Sequence, residues 1–210
     1  MAIIEVVFPQ FKKDPGVIEA VLKALPVGIK AFKNAGVLRV AQGFLASENG
    51  RDVTSESREV LVLEWPTVSA FHDFVGSPAF ANYTGLLKPF LDGPPQLNIF
   101  ETNPASSLFT GGSTLEILLV SPKTAPSDED LLALSKKVQS SLEKAGGADA
   151  VYGSSLNLPL KKIAVLRVFP SETELNSTQS ATVRQEVTKS VDGLAEVTQL
   201  VSNDLKVLPL

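Results

Sequence analysis

Four short motifs recur in the same order in the two halves of this 210-residue chain. IEVVFP (Ile4–Pro9) matches LEILLVSP (Leu115–Pro122), which aligns Glu5 with Glu116. RVAQG then matches DAVYG, Gly43 with Gly153; VLEWP matches LRVFP, Trp65 with Phe169; LDG matches VDG, Gly93 with Gly193. The separation shrinks from the first pair to the last, as it does when one copy has shorter loops, where deletions are tolerated. Four matches in order point to an internal duplication of one folding unit.

Each unit reads β-α-β-β-α-β, the ferredoxin-like order. In the first, strand Ile3–Phe8 precedes a helix capped at Asp14, with Pro15 in its first turn and Pro26 expected to end or kink it before a second segment, Ile29–Asn34. Strands Val37–Ala46 and Arg58–Trp65 follow, separated by a polar loop. A helix then starts after Pro66-Thr67, breaks near Ser77-Pro78 and runs through Leu91, before strand Pro95–Glu101. The second unit repeats this as strand Leu115–Val120, helix Asp128–Lys144, strands Ala150–Leu156 and Lys162–Phe169, helix Glu172–Val191 and strand Glu196–Val201. Residues 1–103 and 114–210 are thus expected as two repeats, joined by a Ser/Thr/Gly/Pro-rich linker at 104–113.

In REVLVLEW (Arg58–Trp65) both alternating sets are apolar, Val60 and Val62 against Leu61, Leu63 and Trp65. A strand apolar on both sides is buried on both. Helices cover one face of each sheet, so the other face must meet the partner sheet. The expected fold is α+β: two ferredoxin-like repeats closed into an intramolecular, pseudo-dimeric barrel.

Composition narrows the function classes. A 44% hydrophobic and 20% charged chain is globular rather than disordered. A net charge of −4 with scattered Lys and Arg argues against nucleic acid or an anionic membrane as partner. With no cysteine, thiolate metal sites and disulfides are excluded, and a single histidine leaves little for a metal. The N-terminus lacks signal-peptide character, and no apolar run nears the ~20 residues of a membrane span. These features lead us to expect a soluble, cytoplasmic protein with a small-molecule partner, open to homodimerisation through its outer strands or helices.

The stretch AGVLRVAQG … VLVLEWPTVSAFHDFVGSPAFANYTGLLKPFL … LNIFE, about residues 35–101, resembles the antibiotic-biosynthesis-monooxygenase-like members of the dimeric α+β barrel superfamily. The carrying features are a Gly-Val-Leu-Arg-Val strand with a glycine near its end, a third strand closing on Trp65, and a helix with an Ala-Phe pair followed by Ser-Pro-Ala-Phe. The second half matches through its repeat relation to the first. The stress-responsive and EthD-like branches share the architecture.

The resemblance implies a tandem barrel closed within one chain. It implies a choice of chemistries: cofactor-independent oxidation of activated phenols or anthrones with O2, haem degradation, or cyclisation and dehydration of polyketide-like molecules. Haem-degrading relatives carry a histidine three positions before the Ser-Pro-like pair and an asparagine on the first strand. Here Phe74 holds the first position, and no asparagine lies between Ala2 and Pro9. The expectation is therefore an enzyme of specialised metabolism without metal or cofactor; the alternative is a non-catalytic binding or stress-associated barrel.

Candidate site residues follow from rarity and placement. Trp65 would stack on an aromatic substrate, helped by Phe71, Tyr83 and Tyr152, or it would be core, as Phe169 suggests at the matching position. A histidine side chain suits proton transfer near neutrality, so His72 would shuttle protons, or it marks the border of a helix. Glu5 and Arg167 are ionisable groups inside apolar strands, which must be paired or face a cavity. They would polarise a carbonyl or phenolate, or form a salt bridge. Nucleotide binding has no support, since the glycines near 111 and 146 lack a phosphate-loop context.

Overall fold

Strand register closes the sheet into a ring. The computed structural model describes residues 1–109, 113–147, 149–157 and 161–210. Its strands are β1 (Ala2–Phe8), β2 (Arg39–Glu48), β3 (Arg51–Asp52), β4 (Glu59–Trp65), β5 (Gln96–Thr102), β6 (Thr114–Pro122), β7 (Val151–Ser155), β8 (Ile163–Phe169) and β9 (Ala195–Leu208). All pairings between them are antiparallel, in the order β2-β4-β1-β5-β7-β8-β6-β9, and β9 returns to β2. The result is a closed eight-stranded barrel, with β3 a short hairpin arm on β2.

Each half contributes four barrel strands, and the halves correspond in register. Glu5 lies opposite Leu63, and Glu116 opposite Arg167, the matching pair. The barrel interior is packed with apolar side chains from both halves, among them Ile4, Val62, Phe100, Ile117, Leu166 and Leu200. The outer face lies under helices. In the first half these are α1 (Val17–Asn34), α2 (Val68–Val75) and α3 (Pro78–Leu87); in the second, α4 (Asp128–Lys144), α5 (Glu172–Leu175) and α6 (Thr178–Ser190). Thr67 and Ser77 cap α2 and α3, and Ser171 and Ser177 cap α5 and α6, each hydroxyl accepting the amide three residues on. No helix among the described residues is long and apolar enough to cross a membrane.

Two seams join the halves, β2 to β9 and β7 to β5. Gly43 and Gly153 sit on them. A Cβ on Gly43 would lie 2.3 Å from Ser202 Oγ, and one on Gly153 would lie 1.9 Å from the Glu101 carbonyl oxygen. The repeated glycine is therefore the residue that lets each half bring its second strand against the other half's last.

Several expectations are corrected. Pro26 does not end α1 or split off Ile29–Asn34 as a second segment; the helix runs through it. Pro26 and Leu22 are both exposed, and on an exposed helix face water can satisfy the carbonyl that a proline leaves free. Asp14 is not the cap; Gly16, at φ 81°, holds that place after a Pro-Gly turn. The polar loop after β2 contains a hairpin, because Asn49 and Gly50 both take positive φ (50° and 77°) as a two-residue turn requires. The last helix is broken at Asn176-Ser177, as its first-half counterpart is at Gly76-Ser77. The last strand runs on to Leu208: a bulge at Asp204 (φ 60°) lets it leave β6 and continue along β2. The segment expected as a linker carries a short 3-10 helix, Ser106–Phe109, and buries Ala105 and Leu108 in the barrel core; its residues 110–112 lie outside the described residues.

Gly153→Ala is expected to cost of the order of 3 kcal/mol in urea unfolding, since the obstructing atom is backbone and cannot turn aside. Gly85→Ala, on the exposed face of α3 with nothing within 4 Å of the new Cβ, should be neutral or stabilising by up to about 1 kcal/mol.

Candidate active site

Alternation along β4 turns Glu59, Leu61, Leu63 and Trp65 toward the helices while Val60 and Val62 fill the barrel. Glu5 and Val7 on β1 share that outer layer. Between this layer and the helices lies a cavity of about 80 Å³, whose walls include Glu5, Phe32, Leu63, Phe74, Phe80 and Tyr83. Among the described residues, Glu5 is the only carboxylate in its wall. Trp65, 1% exposed, does not line the cavity; its Nε1–H donates to Glu5 Oε2 at 2.8 Å. Phe71 and Phe74 pack against the indole at 5.8 and 5.5 Å between centroids and fix its direction. Burial raises the Glu5 pKa to about 7, and the Trp65 hydrogen bond limits the rise.

Tyr83 forms the opposite wall, edge-on to Phe32 at 5.5 Å. Gly28 of α1 makes room for it: a Cβ there would stand 2.6 Å from the tyrosine ring. Burial, then the negative charge of Glu59, raises the phenol's pKa. Glu59 is itself buried and accepts from Gln42 Nε2, and burial lifts its pKa to about 7. The sequence reading missed Glu59 and Gln42, although Glu59 has the strand parity of Trp65.

The remaining candidates lie elsewhere. His72 is exposed on α2, its ring against Phe71, outside the cavity wall. Tyr152 is half-buried on β7 in the second half. Arg167 lies beneath the second-half helices, where its Nε donates to Glu116 Oε2 at 2.8 Å and its Nη2 donates to the same oxygen. Arg184 and Gln199 donate to Oε1 at 3.2 and 2.8 Å. The structure therefore brings Glu5, Trp65, Phe71 and Tyr83 together and leaves His72, Tyr152 and Arg167 apart from them.

The residues do not fit haem. Phe74 is buried in the aromatic cluster where a ligand would be needed, and the single histidine of the chain is exposed. Among the described residues, no group of three or more His, Asp or Glu is placed to hold a metal ion.

A closed antiparallel barrel built from two β-α-β-β-α-β halves, each with its own helices outside, defines a pseudo-dimeric α+β barrel. Solved structures share this fold across nearly the whole chain. A candidate monooxygenase from Fusobacterium nucleatum subsp. nucleatum superposes with a TM-score of 0.62 at 14% identity, over 98% of this chain and 93% of that one. An anthrone oxidase-like protein gives 0.57 at 9% identity, over 98% and 93%. A mutant chlorite dismutase from Candidatus Nitrospira defluvii gives 0.56 at 11% identity, over 95% and 90%. No protein-family model matches the sequence, and no curated protein matches it.

Glu5 and Glu59 bind protons more tightly folded than unfolded. Stability should therefore be fully present below about pH 4.5 and fall as pH rises through about 7, by roughly 3 kcal/mol per carboxylate. Glu59→Gln, which keeps the Gln42 bond, should remove its share of that slope in urea titrations at pH 5 and pH 8.

Proposed function

We propose that the protein is a cofactor-independent enzyme that begins its reaction by taking a proton from an apolar aromatic or polyketide-like substrate. Glu5 is the base. The observation that carries this reading is a buried carboxylate, aimed by an indole N–H and tuned near neutrality, in the wall of an otherwise apolar cavity. A base titrating near working pH combines a useful ionised fraction with good proton affinity. The fold shared with monooxygenase-like and anthrone oxidase-like structures agrees with this reading without fixing the substrate.

At about 80 Å³ the cavity holds a few waters, well below the ~300 Å³ or more of a small-molecule site. Substrate entry therefore requires α3 to move outward, carrying Phe80, Tyr83 and Leu87 and turning on the Gly76-Ser77 break. Once bound, an activated CH2 gives a proton to Glu5, and the electron pair delocalises into the substrate's ring system. With dioxygen as co-substrate, the carbanion forms a substrate hydroperoxide that takes its proton back from Glu5. Loss of water then leaves a carbonyl, so that CH2 and O2 become C=O and H2O. Tyr83, kept protonated by its raised pKa, is placed to donate to a substrate oxygen. His72 has no part in this scheme, and the protein works in the cytoplasm.

Anthrone provides the test. Wild-type protein should oxidise it in air above the spontaneous rate, with one O2 consumed per anthrone and kcat/KM rising through about pH 7. Glu5→Gln should lower kcat/KM about 100-fold or more. Full activity in Glu5→Gln would overturn the assignment of the base. Equal turnover under argon would replace oxygenation by cyclisation or dehydration. Binding without turnover would replace the enzyme by the binding-protein alternative.

A further inference from the structure

The second half answers the same burial problem with different chemistry. Register and the matched helix caps align Leu63 with Arg167, Phe80 with Ser180, Thr84 with Arg184 and Leu97 with Gln199. Around Glu5 these positions are apolar except for Thr84; around Glu116 all four are polar. Glu116 is fully buried and shared by two guanidiniums, Arg167 and Arg184. Within this trio one carboxylate faces two cations, a net charge of +1.

That excess faces a cavity. Arg167 is 7% exposed and lines a space of about 450 Å³ between β8, the start of β7 and α6, within the range of small-molecule sites. Its Nε and Nη2 are engaged by Glu116 and Ser180, while Nη1 makes no hydrogen bond to the described residues. The guanidinium carbon lies over the Phe169 ring, 5.0 Å from its centroid. Burial, relieved in part by Glu116, and then repulsion from Arg184 hold the guanidinium below its ordinary pKa. Ala150, Val168 and Val183 supply apolar wall, and the α6 cap residue Ser177 adds a hydroxyl. Asp149 and Glu174 also line the space, but both are exposed, where salt screens them far more than it screens a buried guanidinium.

We propose that this second-half cavity is a binding site for a small organic acid with an apolar body, whose carboxylate is received by Arg167 Nη1. A carboxylate there completes the charge balance that Glu116 leaves unfinished, and forms a charge-assisted hydrogen bond. The site is separate from the Glu5 cavity and independent of the reaction proposed there.

The test uses benzoate, with benzamide as its neutral isostere, followed by amide chemical shifts in the intact protein. Benzoate should bind and shift Ala150, Val168 and Val183, whereas benzamide should bind at least tenfold more weakly. Ser177→Asp preserves a good helix cap and adds a negative charge to the cavity wall, and should weaken benzoate at least tenfold. Arg167→Leu, which installs the residue found at position 63, should abolish binding if it folds. Equal binding of benzamide, unchanged affinity in Ser177→Asp, shifts confined to other regions, or no binding of benzoate would each overturn the proposal.

Discussion

The barrel depends on how closely two pairs of backbones approach at its seams. A ferredoxin-like sheet of four strands has two free edges, and each half here places its second strand against the last strand of the other. At Gly153 the partner carbonyl occupies the space of a side chain, and at Gly43 a serine hydroxyl does. Closure removes every free edge but that of the short β3 arm, and it seals an apolar interior to which both halves contribute. With the lumen filled, the cavities beside Glu5 and Arg167 both lie on the outside of the sheet, under the helices. The place left for these cavities thus follows from the closure.

The two outer layers then diverge around one shared feature, a glutamate in the middle of the first strand of each half. A buried carboxylate can be kept charged by cations or left to take up a proton. Glu116 is paired with Arg167 and Arg184; Glu5, beneath Leu63, Phe80 and Trp65, meets no cation among the described residues and is pushed toward taking up a proton. One position in one fold therefore yields an ion-paired carboxylate on one side and an unpaired one with a raised pKa on the other. The difference comes from four neighbouring side chains rather than from the backbone.

Much of the fold was legible in local pattern. The matched motifs gave the element order, and the two-sided apolar character of Arg58–Trp65 gave burial between helices and barrel. Pro26 misled because its effect depends on whether the freed carbonyl meets water. The Asn49-Gly50 turn was readable and was passed over. The run of β9 to Leu208 was not readable, because Ser202-Asn203-Asp204 looks like the end of a strand and its pairing with β2 spans most of the chain. At the site, rarity drew attention to Trp65 and His72, yet one is a buried positioning group and the other is exposed. Glu59 carried its signal in strand parity. The size of the cavity and the pairing of Arg167 with Glu116 depend on side chains packed from distant elements, which no short stretch of sequence contains.

The course of β9 also bears on how the protein is made. Its first residues complete the second sheet against β6, and its last residues run along β2. During synthesis the first half emerges with the edge of β2 that later meets β9 bare, since β3 and β4 both pair with its other edge, and it stays bare until almost all of the second half has left the ribosome. An unpaired edge of this kind recruits strands from other chains. The interval between the synthesis of β2 and that of β9 is therefore the period in which a nascent chain is most open to pairing with the wrong partner, and a chaperone that shields β2 would act there.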